Sequence, residues 1–405
     1  MNGSSMPLMS ERRVGLIGAL LAAIGPVSMA LYTPAMPVIA EAFGSTDAAI
    51  KLTLSLYFAG FAFAQLIAGP LSDGLGRRPV TLGFMGIYLA ASVAALFADS
   101  ANMLIAARFM QGCGAAVGIA VSRALVRDLF TGVAAARIMN LIGIILAIGP
   151  ALSPTIGGLT LNLFGWHAIF LLMAALGVII MLVTVFSLRE TVTADVSRLS
   201  PRALLASYRM ILSDPLFLAA SLTISGTLGA IYAQATILPF LMMNVIGLTP
   251  TQFGLTMMIQ SGSFLAGSLA TRYLMARWGA EKLVAPGLVM TGAASLALFF
   301  LLTVHGASFM AVMGPVALFA AGIAFVMPAM SMAALKPFPS NAGAAAALMG
   351  FMQMAAGLGG GLLSGLIGDP VLSMAVIIPG FGLTASLAYV LWRRLRALQD
   401  QMETV

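Results

Sequence analysis

The chain has 405 residues, of which 60% are hydrophobic and 8% charged, with a mean hydropathy of +1.04 and a net charge of +7. That apolarity excludes an ordinary soluble domain. A single cysteine, Cys113, and two histidines leave no intramolecular disulfide and no metal cluster to build.

About 20 apolar residues span a bilayer as a helix, and the chain offers twelve such runs. The first six are predicted near 14–40, 48–71, 79–98, 102–126, 136–160 and 166–188. The first run is too long, and leads too directly into more membrane sequence, to be a cleaved signal peptide. A polar segment follows at about 189–213, with Arg189, Glu190, Asp195, Arg198, Arg202 and Arg209. Six further spans are predicted near 215–240, 250–274, 283–303, 307–331, 340–366 and 370–394, before a tail with Arg393, Arg394, Arg396, Asp400 and Glu403.

With a cytoplasmic N-terminus and alternating spans, every Lys and Arg except Lys51 and Arg108 falls on or near the cytoplasmic side. The external loops carry Glu41, Asp47, Asp99 and Asp369. This is positive-inside topology, not a face for nucleic acid. The expected fold class is an all-α membrane protein with twelve transmembrane helices in two pseudo-symmetric six-helix halves. Residues 1–188 form the first half, 189–213 a cytoplasmic connector, and 214–405 the second half with a short cytoplasmic tail. A duplication of this kind is common in transporters.

The loop after the second span reads Gly69-Pro70-Leu71-Ser72-Asp73-Gly74-Leu75-Gly76-Arg77-Arg78-Pro79-Val80. It resembles the loop between helices 2 and 3 of the major facilitator superfamily. A fainter copy, Gly267-Ser268-Leu269-Ala270-Thr271-Arg272 with Arg277 and Gly279, lies about one six-helix unit downstream.

Four segments narrow the resemblance to the drug:proton antiporter branch, in particular to Bcr/CflA-like multidrug and phenicol exporters. They are Tyr32-Thr33-Pro34-Ala35-Met36-Pro37, Leu52-Thr53-Leu54-Ser55-Leu56-Tyr57, and Arg108-Phe109-Met110-Gln111-Gly112 ending in Arg127-Asp128. The fourth is Gly149-Pro150-Ala151-Leu152-Ser153-Pro154-Thr155-Ile156-Gly157-Gly158, followed by Trp166-His167. The second half matches mainly by hydropathy.

The resemblance implies a gate. Asp73 would cap the eleventh span, which begins after Pro337-Phe338-Pro339 with Ser340 or Asn341 as its own cap, and Asp128 would pair with Arg77. Arg78 and Arg127 complete the charged group, which otherwise serves only to fix topology. Gly149, Pro150, Pro154, Gly157 and Gly158 suit a kinked, closely packed interface between the halves, or ordinary membrane-helix packing.

Arg108 is expected within the membrane thickness, where a charge marks a functional site or snorkels to the interface. Tyr32, Tyr57, Gln65, Gln111, Tyr232 and Gln234 are candidate polar walls of a substrate cavity. Spacing does not settle which way Gln260 faces, and Cys113 reads as plain packing or as a further lining residue of the cavity.

The chain departs from the related exporters at Ala30, where they carry an aspartate. Its thirteen carboxylates fall in loops, at helix ends or in the tails. Neutral or anionic lipophilic cargo is therefore expected over dicationic drugs. Proton coupling would pass through Asp73, Asp128 or His167, be borne by the substrate, or be absent.

The expected function is a secondary transporter, not an enzyme. It would export small lipophilic drugs by alternating access in exchange for protons, as a monomer in a bacterial inner membrane. No metal or cofactor is expected. The alternative is a facilitator or importer of a small anionic metabolite held by Arg108.

Overall fold

The structure, a computed structural model, describes residues 8–195 and 200–403, so Arg198 of the connector lies outside the described residues. The first half comprises α1 (Glu11–Ala42), α2 (Asp47–Leu75), α3 (Arg77–Leu96), α4 (Ala101–Leu129), α5 (Gly132–Phe164) and α6 (His167–Ser187). A short helix, α7 (Pro201–Leu212), lies in the connector. The second half comprises α8 (Pro215–Val245), α9 (Pro250–Trp278), α10 (Glu281–His305), α11 (Phe309–Leu335), α12 (Pro339–Ile367) and α13 (Pro370–Glu403). Eleven of these twelve long helices are apolar enough to cross a membrane by composition alone. The other, α9, has 29 residues but carries Gln252, Gln260, Ser261, Ser263 and Ser268.

Helix starts follow local chemistry. Thr46 Oγ1 accepts from the Ala49 N–H at 3.2 Å to open α2, and Asp214 accepts from Leu216 and Phe217 at 2.8 and 2.9 Å to open α8. Thr249 and Gln252 cap each other's backbone N–H groups at the start of α9. Within α1 the Pro34–Pro37 pair removes two N–H donors, and the helix tightens into a single turn at Thr33–Ala35. The loops after α2 and α9 both turn on a glycine with positive φ, Gly76 at 102° and Gly279 at 81°. The two copies of the loop motif thus share this turn.

The two halves repeat one packing scheme. In the first, α1 packs along α5 and α2 along α4; in the second, α8 packs along α12 and α9 along α11. The halves meet through two equivalent pairs, α2 with α12 and α5 with α9. Small residues bring the backbones together. A Cβ on Gly158 would lie 2.3 Å from the Pro250 carbonyl, and one on Gly254 would lie 2.4 Å from that of Pro154. Thr155 donates to the Gly254 carbonyl at 2.9 Å across the same seam. These approaches lie at the end of the bundle away from the Asp73–Arg78 loop, below called the far end; the other is the loop end.

Pro70 has no N–H, so the Leu66 carbonyl one turn back in α2 lacks its helical donor. The Tyr208 hydroxyl of α7 supplies it at 2.5 Å. Burial pushes the Tyr208 phenol up to about 12, which keeps it a donor. Tyr208 and Ile211 pack with Phe217, Leu348 and Trp392 of the second half. The connector helix therefore sits under the second half while bonded to the first.

Candidate gate and substrate site

At the loop end, α2 delivers Asp73, α3 starts with Arg77, and α4 ends with Arg127 and Asp128. The Arg77 side chain is 2% exposed and forms ion pairs with both Asp73 and Asp128, the latter at 3.1 Å. Its Nη1 donates to Ser72 at 2.7 Å. Arg127 reaches Asp73 at 3.5 Å.

A residue without an assigned part in the sequence reading completes the cluster. Glu190 accepts the backbone N–H groups of Arg77 and Arg78 at 2.8 and 3.0 Å, so a connector carboxylate caps α3 at its positive end. A side chain on Gly76 would collide with that carboxylate. Thr191 adds a bond to Asp128 at 3.0 Å. Asp73 is held by its own half in this conformation, and Asn341 makes no side-chain capping bond at the start of α12. The expected cap between Asp73 and the eleventh span is thus replaced here by Arg77 and Arg127.

Deeper in the first half, Arg108 of α4 is fully buried, lying between the rings of Tyr32 and Tyr57 with 4.4 Å from the guanidinium carbon to each centroid. It does not snorkel. Its Nη1 donates to Gln111 Oε1, while Gln111 Nε2 donates to Ser92 at 2.7 Å and Ser92 donates to the Tyr88 carbonyl at 2.7 Å. That chain of donors fixes the orientation of the Gln111 amide.

The cage is itself anchored. Tyr32 donates to Thr53 at 2.7 Å, Tyr57 donates to the Gly25 carbonyl at 3.0 Å, and Tyr88 donates to Ser28 at 2.5 Å. Two cation–π contacts of about 1–2 kcal/mol each and one charged hydrogen bond of about 2 kcal/mol stand against several kcal/mol for desolvating the ion. Arg108 Nε and Nη2 remain without a hydrogen-bond partner. No carboxylate pairs with it among the described residues.

The other candidates lie apart from this cluster. Tyr232 of α8 packs at 5.4 Å on Phe58 with the rings tilted at 44°, and Phe58 in turn neighbours Tyr57 at 6.3 Å, so an aromatic path leads from the Arg108 cage to the second half. Gln65 is buried in the α2–α12 seam against Gly350, and Gln234 accepts from Gln260 at 2.9 Å within the second half. Gln260 therefore faces inward. Gly157 packs on the Leu31 carbonyl of α1, Gly158 and Pro154 line the α5–α9 seam, and Gly149 faces Val27; Pro150 lies within the same helix. His167 stacks on Trp166 at 3.6 Å.

Three further groups carry weight that spacing did not reveal. Tyr88 and Met173 wall the Arg108 site, and Lys51, fully buried, places its ammonium 5.2 Å from the Phe240 ring of the second half.

The family model for the Major Facilitator Superfamily matches residues 18–364. The chain belongs to that superfamily. Among relatives, it is 28% identical over 358 residues to "Uncharacterized MFS-type transporter YdgK" of Bacillus subtilis (strain 168), covering 86% of this chain and 87% of that one. It is 29% identical over 350 residues to "Multidrug resistance protein MdtL" of Salmonella paratyphi B, covering 85% of each. Among solved structures it is similar to a bacterial homolog of the human lysosomal transporter Spinster, at TM-score 0.70 and 16% identity over 94% of this chain and 96% of that one. This major facilitator is thus a multi-pass, non-enzymatic membrane transporter with the fold expected from its sequence.

Proposed function

We propose that this chain exports small lipophilic compounds, neutral or anionic, by alternating access in exchange for protons, in the manner of Bcr/CflA-like exporters. It works as a monomer in a bacterial inner membrane, with both termini in the cytoplasm and the far end facing out. The halves 1–188 and 214–405 rock about the α5–α9 and α2–α12 seams, and 189–213 links them. Asp73, Arg77, Arg78, Arg127 and Asp128 latch the loop end.

The observation that carries the substrate reading is the Arg108 cage. A buried guanidinium with two unpartnered nitrogens and no acid partner repels a cationic drug and can donate to a carbonyl, nitro or anionic oxygen. The likeness to a multidrug resistance protein of Salmonella supports drug export as the direction. The same unmet donors favour the second reading, a facilitator or importer of a small anionic metabolite held by Arg108.

Expression in an efflux-deficient host separates the two. The export reading expects raised resistance to a neutral phenicol and none to a dicationic drug; resistance to neither, with accumulation of an organic anion, selects the second. Proteoliposomes with and without a pH gradient then test coupling, and flux that ignores the gradient removes protons from the proposal.

A further inference from the structure

Arg123 of α4 lies six residues before the helix ends at Leu129, deeper than the charged rim of Arg127 and Asp128. Charge placement along the chain assigns it to that rim. Its neighbours Ser122 and Ala124 are buried, whereas Arg123 itself is exposed. It shares a helix stripe with Gly112, which packs under Tyr57 of α2, and with Arg127, which reaches Asp73 of α2. Between those two contacts the Arg123 side chain stays exposed. The helix α4 packs on α1, α2, α3 and α5 of its own half, so the exposed stripe of Arg123 is a side that these helices leave uncovered.

Among the described residues Arg123 has no hydrogen-bond or ion-pair partner. Asp73, the α2 acid that Arg127 of the same stripe reaches, is already engaged by Arg77 and Arg127. The second half carries no Asp or Glu between Asp214 and Glu281, and none between Glu281 and Asp369. A fork of donors with no ion-pair partner, among spans whose interiors carry no carboxylate in the second half, attracts a planar anion strongly.

We propose that Arg123 is an anion-binding subsite at the loop-end mouth of the cavity, which takes the carboxylate of an amphiphilic organic acid. This deepens the export reading and rests on it for the cargo role: Arg123 would receive the acid at the mouth, with the Arg108 cage farther along the same helix.

The test uses the full chain in phosphatidylcholine nanodiscs, with 2-naphthoate and its neutral analogue 2-naphthalenemethanol as probes, titrated calorimetrically. The wild type should bind naphthoate about tenfold more tightly than the alcohol, as one charge-assisted pair implies. In Arg123→Gln the two affinities should converge, and Arg123→Lys should keep part of the gap, which shows that charge and not folding is read. Equal affinities in the wild type, or a gap that survives in Arg123→Gln, overturn the proposal. A gap that vanishes when phosphatidylglycerol replaces a third of the lipid also overturns it, because the site then holds a lipid phosphate. Drug susceptibility of the host is read separately, so loss of the export reading leaves the binding result standing.

Discussion

The two halves share a packing scheme but not a charge plan. The fully buried cations Lys51 and Arg108, the nearly buried Arg77 and the unpaired Arg123 all belong to the first half, together with the chain of polar groups through Gln111, Ser92, Tyr88 and Ser28. The spans of the second half offer Gln234, Gln260, Tyr232 and buried Ser and Thr side chains, with Met, Phe and Ala filling the rest. A duplicated scaffold thus divides its labour: the first half holds charge in fixed geometry, and the second supplies a mostly apolar counter-surface.

The largest break in that contrast is Arg108→Ala. It removes the central charge and both cation–π contacts, leaving Gln111 Oε1 and two tyrosine faces without a partner. Export should fall to background in a proteoliposome assay, with protein still monodisperse by size-exclusion chromatography. Arg108→Lys should rescue little, because an ammonium cannot stack flat between two rings. Full export by the alanine variant would remove Arg108 from the site.

A smaller effect is expected at Lys51, where the charge of the first half meets the second half directly. Its ammonium is buried without a hydrogen-bond acceptor against Phe240, with Asp47 and Asp369 as the nearest carboxylates. An uncompensated ion opposes closure of the seam that buries it. Lys51→Met should therefore favour the far-end-closed state by about tenfold, or about 1.4 kcal/mol. A Cβ on Gly365 would lie 3.9 Å from that of Ala48, within disulfide range. The pair Ala48→Cys and Gly365→Cys reports closure, and cross-linking should be faster with Met at position 51. Slower cross-linking would mean that the cation–π contact holds the seam shut.

Much of the fold was legible because span length and apolarity are local properties: runs such as 166–188 and 307–331 needed no tertiary information. The charged cluster at the loop end was legible for Arg77, Asp73 and Asp128, which lie in motifs at helix ends. Glu190 was not, because its role as the cap of α3 depends on a contact across 113 positions of sequence. The Arg108 cage was legible in its members, Tyr32, Tyr57 and Gln111, but not in its arrangement, since rings from α1 and α2 close on a side chain from α4. Arg123 escaped because charge counting places it with the rim, and only the folded chain shows it exposed and unpaired between buried neighbours.

The smallest effect tests how the two halves are tied. Tyr208 of the connector helix packs beneath the second half yet donates to Leu66 of the first, at a carbonyl that Pro70 leaves without its helical donor. Tyr208→Phe keeps the ring and removes one hydroxyl, so α7 should stay docked while the Leu66 carbonyl goes unmet. The cost of such a buried orphan is about 1–2 kcal/mol, expected as a modest fall in thermal midpoint with transport retained. The double variant Tyr208→Phe with Pro70→Ala separates the causes, since alanine restores a backbone N–H one turn beyond Leu66 and should recover most of the lost stability. If the double variant is no more stable than Tyr208→Phe alone, the hydroxyl matters for the connector and not for the broken helix. The tie between the halves would then lie in α7 packing.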